Sequence, residues 1–255
     1  MFERFRALHH GERPLLLPNA WDHASAAALA AAGFAAVGTT SLGVAAAAGK
    51  PDAEQATRAE TLALARGIAG LDVPVTVDIE GGFGGSPEQV AELAAELAAA
   101  GVAGVNIEDG RGQGLAEVAE QVELIAAIKH RVPELFVNAR TDPFWLGAPD
   151  ALATATRRVE AYAAAGADGV FVPGAAEERD VRTLVAAAGV PLNVLIQPGV
   201  PPAKLADLGV RRISYGSLLF RVALQAVVDT ALAVADGAPV AGDVPSYEEI
   251  QRLLP

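Results

Sequence analysis

An alanine-rich apolar stretch, a glycine and a short run of β-branched residues recur in this order along the chain. Five copies are visible: AAGFAAVGTT, AAGVAGVNIED, AAGADGVFVPG, AAGVPLNVLIQ and DLGVRRISYGS. A glycine directly after a helix supplies a left-handed cap, and the apolar run that follows is too short for another surface helix. The pattern therefore predicts helix–strand units whose apolar strands are buried in a parallel sheet.

Eight strands are predicted, each followed by a helical stretch. They are 15–21, 34–41, 73–80, 104–109, 135–142, 169–174, 191–198 and 211–217. Eight βα units without a linker predict a single (β/α)8 TIM-type barrel domain over 1–255, with an N-terminal helix over 1–13 and a short C-terminal helix over 245–254. A doubly wound sheet would need a glycine-rich nucleotide fingerprint in the first βα turn, where PNAWDHAS has no glycine.

Composition limits the kinds of partner and the cellular compartment that we expect for this protein. The 255 residues carry 19 Lys and Arg against 31 Asp and Glu, a net charge of −12, so nucleic acid is not an expected partner. The uncharged segment 24–49 is long enough to span a bilayer, but its Ala, Gly, Ser and Thr content favours a buried helix–strand pair and no membrane contact. With no cysteine and no apolar leader segment, the chain is expected to be cytoplasmic.

Polar side chains follow the predicted strands at their carboxyl ends, where barrels carry function. Alternation along a strand places Asp78 and Glu80 on one face, and Asn106 and Glu108 on one face of the next strand. Like charges at close range are costly unless a cation joins them. Because the donors are hard oxygens, with no Cys or His at a strand end, Asp78, Glu80 and Glu108 predict a Mg²⁺ or Mn²⁺ site.

Arg140 is the one cation in this polar set, and it is expected to bind a substrate carboxylate or phosphonate. The alternative is a structural salt bridge from Arg140 to Glu108 or Asp142. Asp109 and Asp142 are expected to pair with Arg140 or to cap the following helices. The glycine-rich segments GGFGGS and GRGQG do not match phosphate-binding patterns and are expected to be close-approach or mobile turns.

These motifs resemble the isocitrate lyase/phosphoenolpyruvate mutase superfamily over nearly the whole chain. They are LPNAWD, TTSLGVAAAAGKPD, VTVDIEGGFG, VNIEDG and VNARTD, in family order and spacing. The resemblance implies a Mg²⁺-dependent barrel that stabilises the enolate of a pyruvate-like 2-oxo acid while a C–C or P–C bond is cleaved or formed. It also implies a homodimer or homotetramer that exchanges a C-terminal helix.

The resemblance also implies roles for individual residues. Asp78 matches the acid that touches the metal directly, whereas Glu80 and Glu108 match acids that hold it through water. Asp52 matches the aspartate of a helical gate after the second strand, and with Arg140 it is expected to be catalytic. The implied substrate-binding residues are Trp21, Thr40, Ser41, Leu42, Arg140 and Asn193.

Departures from the family pattern limit the activity. After IED, the lyase branch carries a Lys-Lys/Arg-Cys-Gly-His loop and the mutase branch a Lys and Asn-Ser, whereas this chain reads GRGQGLAEV. Isocitrate lyase, methylisocitrate lyase and phosphoenolpyruvate mutase activities are therefore not expected, and proton delivery falls to Tyr215, Ser41 or water.

Three hypotheses remain. The first is a Mg²⁺-dependent lyase or decarboxylase of a small 2-oxo or 2-hydroxy carboxylate. The second is a phosphonate enzyme that resembles phosphoenolpyruvate or carboxyphosphonoenolpyruvate mutase or phosphonopyruvate hydrolase. The third is a non-catalytic oxo-acid binding protein. The set of Asp78, Glu80, Glu108 and Arg140 favours the first.

Overall fold

The computed structural model describes residues 1–240 and 242–254, and one large parallel sheet organises them. The strands are β1 (Leu15–Leu17), β2 (Asn19–Ala20), β3 (Val37–Thr39), β4 (Val75–Asp78), β5 (Gly104–Glu108), β6 (Gly110–Arg111), β7 (Gly114–Leu115), β8 (Phe136–Arg140), β9 (Gly169–Phe171), β10 (Leu192–Leu195) and β11 (Arg212–Ser214). All belong to the large sheet except β6 and β7, which form a small antiparallel hairpin.

The large sheet closes on itself because its first strand is shared by both edges. β1 and β2 are one strand interrupted at Pro18, a residue that has no N–H to give to a ladder. β1 pairs in parallel with β11, and β2 pairs in parallel with β3. The nine sheet segments therefore form an eight-stranded ring, and the prediction of a (β/α)8 barrel is confirmed.

Helices surround the ring. They are α1 (Phe2–Leu8), α2 (His23–Ala31), α3 (Ser41–Ala47), α4 (Arg58–Ile68), α5 (Pro87–Ala99), α6 (Val118–Arg131), α7 (Ala151–Ala164), α8 (Glu178–Ala188), α9 (Pro202–Asp207), α10 (Leu218–Ala235) and α11 (Tyr247–Gln251). α1 is shorter than the expected helix over 1–13, and α11 is shorter than the expected helix over 245–254. α11 starts at a capping box, in which the Ser246 hydroxyl accepts from the Glu249 N–H.

The apolar core lies between the strands and the surrounding helices. In β5, Val105 and Ile107 are fully buried in the same cluster as Leu93 and Leu97 of α5. Alternation turns the other β5 side chains, including Asn106, toward the inside of the ring. The outer face of the strands thus stabilises the fold, which leaves the inner face available for polar side chains.

Helix α1 closes the amino-terminal end of the barrel. Its Phe5 is fully buried, and the Phe5 ring meets the edge of the Phe136 ring at 5.2 Å between centroids. His9, directly after α1, stacks on Phe136 at 4.2 Å between ring centroids. The Nδ1 of His9 donates to the Phe5 carbonyl at 2.9 Å. Burial, together with the nearby positive charge of Arg212, lowers the pKa of His9 to about 3.

Acid is expected to destabilise the protein through His9. The unfolded chain takes up this proton near pH 6.5 and the folded protein only near pH 3, so stability falls as the pH drops below 6.5. In urea unfolding, wild type should lose about 1.4 kcal/mol more than His9→Gln between pH 7.5 and 5.5. Parallel losses in both proteins would contradict this assignment.

Helix α10 is the exception to the pattern of buried apolar faces. Its 18 residues have a mean hydropathy of 1.8, yet only 6% of that stretch is buried, and Phe220 is its one buried side chain. Among the described helices it alone is long and apolar enough to cross a membrane by length and composition. Leu224, Val227 and Leu232 are 52%, 67% and 60% exposed. A large apolar surface therefore stands outside the barrel.

Candidate active site

A cavity of about 310 Å³ lies at the carboxyl end of the barrel. Seven of the ten residues predicted to bind metal or substrate or to act in catalysis line it. They are Thr40, Ser41, Leu42, Asp52, Asp78, Glu108 and Arg140. Three others, Trp21, Glu80 and Asn193, are not among the lining residues. The cavity thus lies at the carboxyl ends of the strands, as predicted, but three of the predicted site residues do not line it.

Asp78 is the last residue of β4 and projects into this cavity. Its backbone N–H donates to the Thr39 hydroxyl at 2.9 Å, which ties β4 to the end of β3. Its Oδ1 accepts from the Glu80 N–H at 3.0 Å. Burial raises the pKa of Asp78 above the usual aspartate value, although the positive charge of Arg140 opposes this shift. A bound cation would favour the charged form of Asp78.

Glu108 and Arg140 form a buried ion pair at the ends of β5 and β8. Nη1 of Arg140 lies 2.9 Å from Oε2 of Glu108, and Nε lies 2.7 Å from Oδ1 of Asp142. The predicted alternative of a structural bridge is therefore present, and it leaves Arg140 in the cavity lining. Burial raises the pKa of Glu108 despite Arg140. Burial alone would lower the pKa of Arg140, but Glu108, Asp142 and Asp78 together raise it.

Asp109, the other acid after β5, has a structural role. It is fully buried, and its carboxylate accepts from the hydroxyls of Thr141 and Tyr162 and from Nη1 of Arg158. Its Oδ1 also accepts from the backbone N–H of Asp142 at 3.0 Å. Asp109 thereby holds the segment after β8, and with it the partner of Arg140.

The expectation that Glu80 shares a face with Asp78 was wrong. β4 ends at Asp78, and Glu80 lies in the following turn with a φ of +50°, so strand alternation no longer applies to it. The Glu80 carboxylate is 2% exposed and accepts from the Gln55 N–H and the Thr57 hydroxyl. It faces the segment after α3 rather than the cavity.

Trp21 packs against helices α3 and α10 outside the cavity lining. Its ring meets the edge of the Phe220 ring at 5.3 Å between centroids. A Cβ on Gly43 of α3 would lie only 2.7 Å from the Cβ of Trp21, so α3 packs directly on this residue. Trp21 therefore positions α3, whose first turn carries Ser41 and Leu42 into the cavity.

Asp52 reaches the cavity from a turn and not from a helix. It follows α3 in the irregular segment 51–57, in contrast to the helical gate that the resemblance implies. It lines the same cavity as Asp78 and Glu108, and its negative charge adds to the effect of burial, which raises the pKa values of both. Its Oδ1 is buried and has no hydrogen-bond partner in the described part of the chain.

Asn193 is buried inside the barrel, one step below the cavity. Its position in β10 pairs with Arg212 in β11, whereas Leu195, two residues further along β10, lines the cavity. Both polar atoms of the Asn193 side chain lack a partner among the described residues. Asn193 is not among the residues that line the cavity, and its contact with substrate stays a prediction.

The floor of the cavity includes an amide that sequence reasoning left without a role. Oδ1 of Asn106 accepts from Nδ2 of Asn138 at 2.8 Å and from Nη2 of Arg212 at 3.1 Å. Because arginine can only donate, the Asn106 oxygen must face Arg212, which leaves its Nδ2 group for the cavity. Burial lowers the pKa of Arg212 to about 9, and the charge of Asp78 opposes that shift.

The wall opposite the acids comes from the loops after β10 and β11 and from the start of α10. It includes Ile196, Tyr215, Leu218 and Arg221. Tyr215 was one of the three expected proton sources, and its place in the cavity lining keeps that hypothesis open. Arg221, a second cation of the cavity, was missed because it lies within a helix rather than at a strand end.

The residues present fit a hard divalent cation that keeps part of its water shell. Within residues 1–240 and 242–254, no three His, Cys, Asp or Glu side chains are arranged to enclose a metal ion. Mg²⁺ in proteins usually binds through one or two carboxylates and retains several waters. Asp78 and Glu108 supply hard oxygens in one cavity, and burial raises the pKa of both carboxyls although Arg140 opposes the shift.

The cavity, lined by acids, an arginine and the start of a helix, lies at the carboxyl end of a (β/α)8 barrel, where the enzymes of this fold class carry their active sites. Within that class, the chain belongs to the phosphoenolpyruvate phosphomutase family, whose model matches residues 5–235. The lyases and phosphonomutases of the isocitrate lyase/phosphoenolpyruvate mutase superfamily are its relatives.

Individual relatives share most of this chain. An uncharacterized protein of Mycobacterium tuberculosis (strain ATCC 25618 / H37Rv) is 43% identical over 250 residues, with 98% of this chain and 95% of the relative covered. A 2-methylisocitrate lyase of Bacillus subtilis (strain 168) is 33% identical over 238 residues, with 88% and 78% covered. The crystal structure of a phosphonopyruvate hydrolase complex with oxalate and Mg²⁺ has a TM-score of 0.86 and 26% identity, with 98% and 93% covered.

Proposed function

We propose that this protein is a Mg²⁺-dependent lyase that cleaves a C–C bond of a small 2-oxo or 2-hydroxy carboxylate through an enolate, decarboxylation included. The observation that carries the proposal is the convergence of Asp78, Glu108 and Arg140 in one cavity with the first turn of α3. The resemblance to 2-methylisocitrate lyase over 88% of the chain supports the C–C bond chemistry.

Each residue has a distinct task in this proposal. Asp78 would hold Mg²⁺ or Mn²⁺ directly, and Glu108 would do so through water. The metal would supply positive charge opposite the oxygen on which negative charge develops. Arg140, fixed by Glu108 and Asp142, would orient the substrate carboxylate. Thr40 to Leu42 would bind the same anion from the opposite side.

The hairpin after β5 favours a lyase that does without the family's acid–base loop. Arg111 in β6 donates to the carbonyl oxygens of Glu108 and Gly110, which binds the hairpin to the end of its own strand. β6 and β7 carry no cysteine or lysine. The proton is therefore expected to come from the cavity wall, where Tyr215 and Ser41 lie, or from water.

A substrate panel tests the proposal. With Mg²⁺ present, pyruvate or an equivalent oxo-acid product should form from a 2-oxo or 2-hydroxy dicarboxylate such as oxaloacetate, and addition of EDTA should stop it. Phosphate release from phosphonopyruvate would instead favour the phosphonate alternative. The similarity to phosphonopyruvate hydrolase is the reason to include this substrate. Oxo-acid binding without turnover across the panel would favour the binding-protein alternative.

We also propose that α10 packs against a second copy of this chain, giving a homodimer or homotetramer. Its apolar side chains are exposed in the single chain. A bilayer is a poorer partner, because 18 helical residues span about 27 Å, less than a typical hydrocarbon core. Arg221 and Asp229 inside the helix would add a further cost in lipid.

A further inference from the structure

Two irregular segments meet beside the cavity, one after α3 (residues 51–57) and one after β4 (residues 79–85). Four residues other than glycine adopt positive φ in the described chain, and all four lie in these segments. They are Ala53 (57°), Gln55 (63°), Glu80 (50°) and Phe83 (53°). Such backbone is costly and persists only where surrounding contacts hold it. Contacts around the two segments must therefore hold this backbone in place.

Glu80 supplies these contacts. Its Oε2 accepts from the Gln55 backbone N–H at 3.0 Å, and its Oε1 accepts from the Thr57 hydroxyl at 2.6 Å. Glu80 is 2% exposed and Thr57 is fully buried. Hydrogen bonds to an ionised carboxylate are about twice as strong as neutral ones. Both oxygens of Glu80 are thus engaged by the segment that carries Asp52.

The backbone of Glu80 reaches the other two acids of the cavity. Its N–H donates to Oδ1 of Asp78 at 3.0 Å, and its carbonyl accepts from the Glu108 N–H at 2.9 Å. One residue therefore contacts Asp78 and the Glu108 strand through its main chain and the Asp52 segment through its side chain.

Asp52 depends on this arrangement for its place. The Oδ1 of Asp52 is buried without a hydrogen-bond partner in the described residues, so no contact at that atom fixes it. The anchors that follow in the chain are the Gln55 N–H and Thr57, both bound to Glu80, and the Ala56 carbonyl, which accepts from Nζ of Lys50 at 3.0 Å.

We propose that Glu80 is a positioning residue that holds the Asp52 segment over the cavity, and that its carboxylate does not take part in metal binding. The proposal deepens the proposed function and rests on it for the role of Asp52. It replaces the expectation that Glu80 holds the metal through water. The hydrogen bonds of the Glu80 carboxylate are present without any substrate, so they do not depend on the proposed function.

Three variants separate the two roles. Thr57→Val removes one of the two bonds without touching a cavity acid. Glu80→Gln keeps an oxygen for the Gln55 N–H and an amide that can donate to the Thr57 oxygen, but it removes the charge. Glu80→Ala removes both bonds. For each variant we would measure hydrogen exchange at the Gln55 amide and Mn²⁺ affinity in the absence of substrate. We would also measure kcat and KM with the substrate that the panel described above identifies.

If Glu80 positions the segment, Thr57→Val should speed Gln55 exchange and lower kcat by about tenfold, with Mn²⁺ affinity unchanged. Glu80→Ala should do so more strongly. Glu80→Gln keeps both bonds in their weaker neutral form, so its Gln55 exchange and kcat should lie between those of wild type and Glu80→Ala, with Mn²⁺ affinity unchanged. A loss of about 10- to 100-fold in Mn²⁺ affinity for Glu80→Gln would overturn the proposal in favour of a metal role. Unchanged Gln55 exchange in Thr57→Val and Glu80→Ala would overturn it as well.

Failure of the proposed function would give a different result. If wild type neither binds Mn²⁺ nor turns over any substrate, the lyase assignment fails. The exchange rate of the Gln55 amide would still decide whether Glu80 holds the segment.

Discussion

Asp78→Asn is expected to abolish the joint stabilisation of the protein by Mg²⁺ and oxalate, a mimic of the enolate. In wild type, ligand at a hundredfold excess over Kd should add about 2.7 kcal/mol to the free energy of unfolding. That corresponds to a rise in Tm of roughly 5–10 °C for a domain of this size. Asparagine keeps the size of the side chain and an oxygen that can accept from the Glu80 N–H, but it removes the charge that the cation needs.

The same substitution at an exposed acid serves as the control. Asp72→Asn changes a side chain that is fully exposed at the far side of the molecule from the cavity lining, and the Tm shift should survive it. In the panel assay, Asp78→Asn should lower kcat/KM by at least about a hundredfold, the scale on which electrostatic stabilisation of a transition state acts. If the Tm of wild type does not rise with Mg²⁺ and oxalate, or if Asp78→Asn keeps the rise, the proposed metal site at Asp78 is contradicted.

The repeat in the sequence was a reliable guide to the fold because it reports local physics. Gly101 and Gly166 both have a φ of +101°, the left-handed conformation that a glycine after a helix was expected to supply. The apolar runs after them became β5 and β9. Helix end, cap and buried strand are each specified within a few residues, so neither the order nor the number of units required knowledge of distant contacts.

The site was predictable only where regular strand geometry continues to the cavity. Asn106 and Glu108 belong to one strand and line the cavity together, as alternation predicts. The prediction that Glu80 shares a face with Asp78 was wrong because the strand ends at Asp78, and the sequence does not show that end point. For Asn193, alternation gives the inward face but not the depth, and Asn193 lies two residues before Leu195, which lines the cavity.

The cavity wall near α10 shows a second limit of sequence reasoning. Arg221 and Leu218 line the cavity from a helix, whose residues carry no strand-end signal. α10 is apolar over its 18 residues, yet only Phe220 is buried in the single chain. Apolar composition predicts that a helix will be covered, but it does not tell whether its own barrel or another copy covers it.

Val227→Lys is expected to break the assembly that α10 mediates. Val227 is 67% exposed, between the similarly exposed Leu224 and Val228. Covering a valine contributes about 1.5–3 kcal/mol, and a lysine in its place would be buried without a partner charge. In a two-fold symmetric interface each change occurs twice, so association should weaken by at least about a hundredfold. Light scattering after size-exclusion chromatography should then give the mass of one chain, 26.0 kDa.

Gln225→Lys adds the same charge on the same helix and provides the matched control. Gln225 belongs to a polar stripe with Arg221 and Asp229, spaced four residues apart, and its Nε2 donates to Oδ1 of Asp229 at 2.8 Å. A lysine there can pair with Asp229, so the oligomer should persist. If wild type elutes at 26.0 kDa, or if both variants dissociate alike, the apolar face of α10 is not what joins the copies. Because Leu218 and Arg221 line the cavity at the start of α10, a change in kcat/KM on dissociation would link assembly to the site.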